Sequence, residues 1–145
     1  MTQQTVLTLS EVSRCLISFM IEEEQQLLIL LTADGTVNRM GSGLSPNQEK
    51  ALYIDSLSES LFVQFMEKVP DIFQYQGVYE DRYQQGVQCD LTLLFSNLPQ
   101  TKFVGFKFIY GAESQTPPPE IIALVEIAIK LTNPAYDQFK RTIST

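Results

Sequence analysis

Thr116–Thr132 reads TPPPEIIALVEIAIKLT, and the way this stretch folds decides the architecture. A proline is at home in the first turn of a helix, where the N–H it lacks would have had no partner. Pro117, Pro118 and Pro119 therefore mark a helix start, with Thr116 as N-cap and Glu120 near the positive end of the dipole. Asn133 and Pro134 are expected to end the helix. At about 100° per residue, Ala123, Glu126 and Lys130 fall on one narrow polar stripe. Ile121, Leu124, Val125, Ile127, Ala128 and Leu131 fill the far side, and Ile122 and Ile129 flank the stripe. This apolar arc is wider than the ~100° of an ordinary surface helix. The helix is therefore expected to lie between two layers of its own domain, or to have the edge at Ile122 and Ile129 covered by a second subunit. The run falls short of the ~20 apolar residues that a bilayer span needs.

The rest of the chain reads as surface arranged around that helix. Its 145 residues predict one domain, 1–145. A chain this long can bury about 70% of its extended surface without a disulfide or metal staple. The net charge of −7 argues against nucleic acid and anionic membranes as partners, because both attract basic patches. It leaves a basic protein open. Cys15 and Cys89 lie far apart on apolar-patterned stretches and read as reduced core residues. With no secretory pattern in MTQQTVLTLS, they point to the cytoplasm. There is no histidine, which removes histidine triads, histidine metal ligands and the usual neutral-pH proton shuttle. No cofactor and no metal are expected. An enzyme on this chain would have to work with carboxylate, tyrosine, arginine or a bound metal.

Taken in order, Ser10–Gln25 fits two patterns. Val12, Cys15, Leu16, Phe19 and Met20 share one face of a helix, whereas Cys15, Ile17, Phe19 and Ile21 share one face of a strand. The clean angular segregation favours the helix. Leu27–Thr32, LLILLT, is a continuous apolar run and reads as a buried strand. Asp34-Gly35 reads as a type I′ turn returning into a strand over Thr36–Met40. Ser45 caps a second helix that Pro70 stops, with Ala51, Ile54, Leu57, Leu61, Phe62, Phe65, Met66 and Val69 on one face. Strands follow over Ile72–Tyr79, Gln88–Ser96 and Lys102–Tyr110, the last two antiparallel neighbours. Tyr136–Ile143 is a last short helix. The expected fold is therefore a single α+β domain. It has a mainly antiparallel sheet of about five strands with three main helices on it, in the order α-β-β-α-β-β-β-α.

Two groups of residues are candidates for function. The turn ADGTVNRMGSG offers Asn38, Arg39, Gly41, Ser42 and Gly43, with Asp34, as an anion or small-molecule site. Its glycines let a ligand approach and its arginine can donate two hydrogen bonds. Its spacing matches neither a Walker loop nor a dinucleotide fingerprint, and turn geometry alone explains its glycines. The Tyr/Gln stretch offers Tyr75, Tyr79, Arg82 and Tyr83, residue types that interfaces favour. Glu22-Glu23-Glu24 reads as a solvated cluster at a turn. The favoured reading is a small non-catalytic interaction module. It would bind itself or another protein, a basic one included, through the Tyr/Gln strand or the Ile122 and Ile129 edge. A ligand-binding protein or enzyme at the Asp34–Gly43 turn is the alternative.

Overall fold

Cys15, Ile17, Phe19 and Ile21 alternate with Arg14, Leu16, Ser18 and Met20, the period of two that suits a pleated strand. In the computed structural model, which describes residues 7–41, 52–57, 59–69, 77–81, 85–113 and 117–143, this segment is strand β1, Arg14–Ile21. A single 3₁₀ turn, Leu9–Glu11, precedes it. Strands β2 (Glu24–Thr32), β3 (Thr36–Met40) and β4 (Leu52–Ser56) follow, then helix α1 (Ser60–Met66). Strands β5 (Gly77–Glu80), β6 (Gln88–Ser96) and β7 (Phe103–Gly111) lead into helix α2 (Pro119–Ile143). The strands form one sheet in the order β4-β3-β2-β1-β6-β7-β5. Neighbours are antiparallel except β5 and β7, which are parallel.

Among the described residues there are thus seven strands in one mixed sheet and only two α-helices. This corrects the expected α+β arrangement of about five strands and three helices. Three segments account for the difference. Residues 14–21 form a strand rather than a helix, because β2 and β6 supply a ladder on each side that outweighs a helical pattern of equal quality. The expected second helix is confined to Ser60–Met66. Its upstream part, Leu52–Ser56, pairs with β3 from Met40↔Leu52 to Thr36↔Ser56, and the Ser45 cap lies outside the described residues. Finally, α2 does not end at Asn133 and Pro134 but runs on to Ile143, absorbing the short helix expected after it. The strand expected over Ile72–Tyr79 is described from Gly77 and runs to Glu80.

Residues paired across a ladder share a face, so the registers sort every strand side chain. One face carries Cys15 and Ile17, Leu27, Ile29 and Leu31, Val37, Tyr53, Leu91 through Phe95 at alternate positions, and Val104, Phe106 and Phe108. Both helices lie on it. From α2 it buries Ile121, Leu124, Ala128, Thr132 and Tyr136, and from α1 Phe62 and Phe65. Ala123, Glu126 and Lys130 of α2 are exposed, as their stripe requires. The core cluster takes strand residues from this face alone.

The turns show what the local sequence contributes. Ala33-Asp34-Gly35 is a three-residue loop in which only Gly35 has positive φ, +96°, rather than the type I′ turn expected. The Asp34 carboxylate accepts the Thr36 N–H at 3.0 Å and the Thr32 hydroxyl, which holds its pKa below the ordinary value. A Cβ at Gly35 would meet the Leu57 carbonyl oxygen at 2.5 Å, so no other residue fits. The β1–β2 turn is built differently. Its two central residues, Glu22 and Glu23, have φ of +50° and +67°, left-handed values that cost a non-glycine residue roughly 1 kcal/mol each. Glu22→Asn combined with Glu23→Gly is expected to raise stability by about 1 kcal/mol, read from the urea midpoint at unchanged m-value.

Across the sheet, Glu11 closes the 3₁₀ turn and reaches the β6–β7 connection. Its carboxylate accepts the Thr8 N–H at 3.0 Å and the Lys102 ammonium at 2.7 Å. The Lys102 hydrogen bond first, then those from Thr8, lower its pKa from 4.5 to about 2. A lowered carboxylate pKa stabilises the fold above the ordinary value and loses that contribution as pH falls towards about 2. An NMR titration is expected to place the Glu11 midpoint near 2, moving up towards 4.5 in Lys102→Ala.

Candidate interaction surface

Alternation along β3 places Val37 and Arg39 on the helix-covered face and Asn38 on the other. Arg39 is 2% exposed. Its Nε donates to the Gly41 carbonyl at 2.9 Å. Its Nη1 donates to Thr132 Oγ1 at 2.8 Å, Asn133 Oδ1 at 3.0 Å and the Ile129 carbonyl at 3.3 Å. The guanidinium lies 4.8 Å from the centre of the Tyr136 ring, and Tyr136 Oη accepts the Gly41 N–H at 3.0 Å. A buried charge persists only when hydrogen bonds replace its lost water, and the α2 groups do so here. α2 runs through Pro134, which is exposed. A proline in a helix removes one bond and crowds the preceding turn. The bond lost at Pro134 is the one to the Lys130 carbonyl; one position earlier Arg39 binds the Ile129 carbonyl, and the Thr132 hydroxyl donates to Ala128 O at 2.8 Å.

The residues grouped around the Asp34–Gly43 turn therefore separate. Arg39 and Gly41 attach α2 to the sheet, Asp34 holds its own turn, and Asn38 faces away from both. Ser42 and Gly43 lie outside the described residues, as do Tyr75, Arg82 and Tyr83. Ile122 and Ile129 are half-buried and pack against the core. Tyr79 is 42% exposed and stacks on Phe108, with ring centres 5.1 Å apart and planes 11° apart. It lines a groove of about 670 Å³ between β5 and the start of α2, with Glu80, Asp81, Tyr110 and Pro117–Pro119. Burial, and then nearby Cys89, pushes the Tyr110 phenol up to about 12. Cys15 and Cys89 are free, buried, and six positions apart along the β1–β6 ladder, about 20 Å of strand. Among the described residues no three Cys, Asp or Glu side chains gather at metal-binding spacing, and no helix is long and apolar enough to cross a membrane.

The opposite face of the sheet is the surface that the sequence reading did not anticipate. The registers Asn38↔Ile54, Leu30↔Asn38, Leu16↔Leu30 and Leu16↔Leu94 draw one row across five strands: Ile54, Asn38, Leu30, Leu16, Leu94. Leu52, Met40 and Leu28 form the neighbouring row. Ile54 is 61% exposed and Leu52 46%, Leu16, Leu28 and Leu94 are half-buried, and Leu30 at the centre of the row is 9% exposed. Asn38 is the polar member of its row, and its Oδ1 is enclosed without a hydrogen-bond partner. No described helix packs on this face. The signal was present in LLILLT, where apolar residues at even as well as odd positions mark a strand with two apolar faces. No protein-family model, no curated protein and no solved structure matches the chain.

Arg39→Lys is expected to lower stability by about 2 kcal/mol, because one ammonium cannot serve acceptors spread around a planar fork. Equilibrium urea unfolding checks this.

Proposed function

We propose that the chain is a non-catalytic protein-interaction module whose working surface is the open face of the sheet. The observation that carries this reading is the Ile54–Asn38–Leu30–Leu16–Leu94 row, apolar except at Asn38 and outside the core cluster. Monomeric proteins rarely leave such a patch uncovered, and a partner gains about 25 cal/mol for each Å² of it removed from water. The partner is a protein, a second copy or a basic chain, rather than nucleic acid, in keeping with the net charge of −7. Two free, buried cysteines support a reducing compartment such as the cytoplasm.

The test compares two lysine substitutions. Ile54→Lys places a charge on the open face, whereas Leu98→Lys places one at the β6–β7 turn, where Leu98 is 81% exposed. Ile54→Lys is expected to weaken the partner that co-purifies with the wild-type protein by roughly tenfold or more, with circular dichroism unchanged. Leu98→Lys is expected to retain it. Equal retention by both variants would refute the open face as the working surface.

A further inference from the structure

We infer that the open face is covered by a second copy of this chain, packed sheet against sheet about a two-fold axis. This rests on the reading of that face as the working surface and commits to its occupant. Two observations support a second copy, and the first of them tells it from a basic protein. The first is charge. The chain carries −7, yet the charged strand residues on the open face are Arg14 and Lys107 against Asp90 and Glu80, two of each sign. Lys107 and Asp90 pair at 3.4 Å. The negative excess therefore lies elsewhere. A basic partner finds no net attraction on this face, while a second copy meets no net repulsion there.

The second is area. Strands spaced about 4.8 Å apart and rising about 3.4 Å per residue give the seven-stranded face roughly 800 Å². That is about what each partner contributes to a stable interface of standard size. A two-fold contact uses the same patch twice, so the row from Ile54 to Leu94 meets its own counterpart, apolar except at Asn38. Two sheets so packed interdigitate at about 10 Å with their strands within about 30° of alignment.

Sedimentation equilibrium on the full chain, from roughly 1 to 100 µM, tests this. The expected mass is twice the 16.4 kDa of one chain. Ile54→Lys combined with Leu52→Lys, both at exposed positions of β4, is expected to weaken the dimer at least about tenfold. Val63→Lys on α1, 55% exposed, leaves it unchanged. A single-chain mass at the highest concentration overturns the second copy, as does a dimer indifferent to the β4 pair. If the chain is monomeric and Ile54→Lys still loses its co-purifying protein, only the occupant was wrong. If Ile54→Lys affects nothing, the open-face reading falls with it.

Discussion

β1 is hydrogen-bonded to β2 on one side and to β6 on the other, over all eight of its residues in both ladders. Side chains alternate with a period of two, so a slip of one residue would exchange the two faces of the strand. Held in this register, Cys15 and Ile17 meet Leu31, Ile29, Phe95 and Leu93 in the core. Leu16 meets Leu30 and Leu94 on the far side. One register therefore fixes both the interior and the uncovered apolar row, and neither can be altered without the other.

A second constraint places α2 on its side of the sheet. Arg39 reaches from the core face of β3 into the Ile129–Asn133 turn of α2, and Tyr136 returns a contact to Gly41. Apolar packing alone is not directional, whereas this cluster of hydrogen bonds sets where along the sheet the helix lies. The helix then carries Tyr136 and Phe139 beyond Pro134 and sets Phe139 against Tyr53, with ring centres 5.2 Å apart. The sheet is closed on one side by an attachment whose arginine the alternative reading of the sequence had offered to a ligand.

Much of this was legible in the sequence wherever one pattern dominated. Gln88–Ser96 has the bounds that alternation predicts, Thr36–Met40 those expected after the Asp34-Gly35 turn, and the Ala123–Glu126–Lys130 stripe faces out. Legibility failed where two periods coincided, in residues 14–21 and again where Leu52–Ser56 continued the helical spacing of Phe62 and Phe65. Only strand partners distant in sequence decide such cases. Pro134 misled because a proline costs a helix interior one bond without forbidding it, and a long helix packed on a sheet can bear that cost at an exposed position. Arg39 was readable in principle: it shares its side of β3 with Val37, so the strand that buries one buries the other. An arginine beside glycines invites a ligand reading, which stood as the alternative, and alternation along β3 was not used to place Arg39 in the core.

The β1–β6 ladder also has a temporal meaning. β1 through β4 are complete once the chain has been synthesised to Ser56, but the partner for the second edge of β1 ends only at Ser96. Ribosomes add about 5–20 residues each second, so Cys15, Leu16 and Ile17 pass several seconds at an unpaired edge of nascent sheet. That edge offers unpaired N–H and C=O groups to any other strand, and contacts this long-range form slowly.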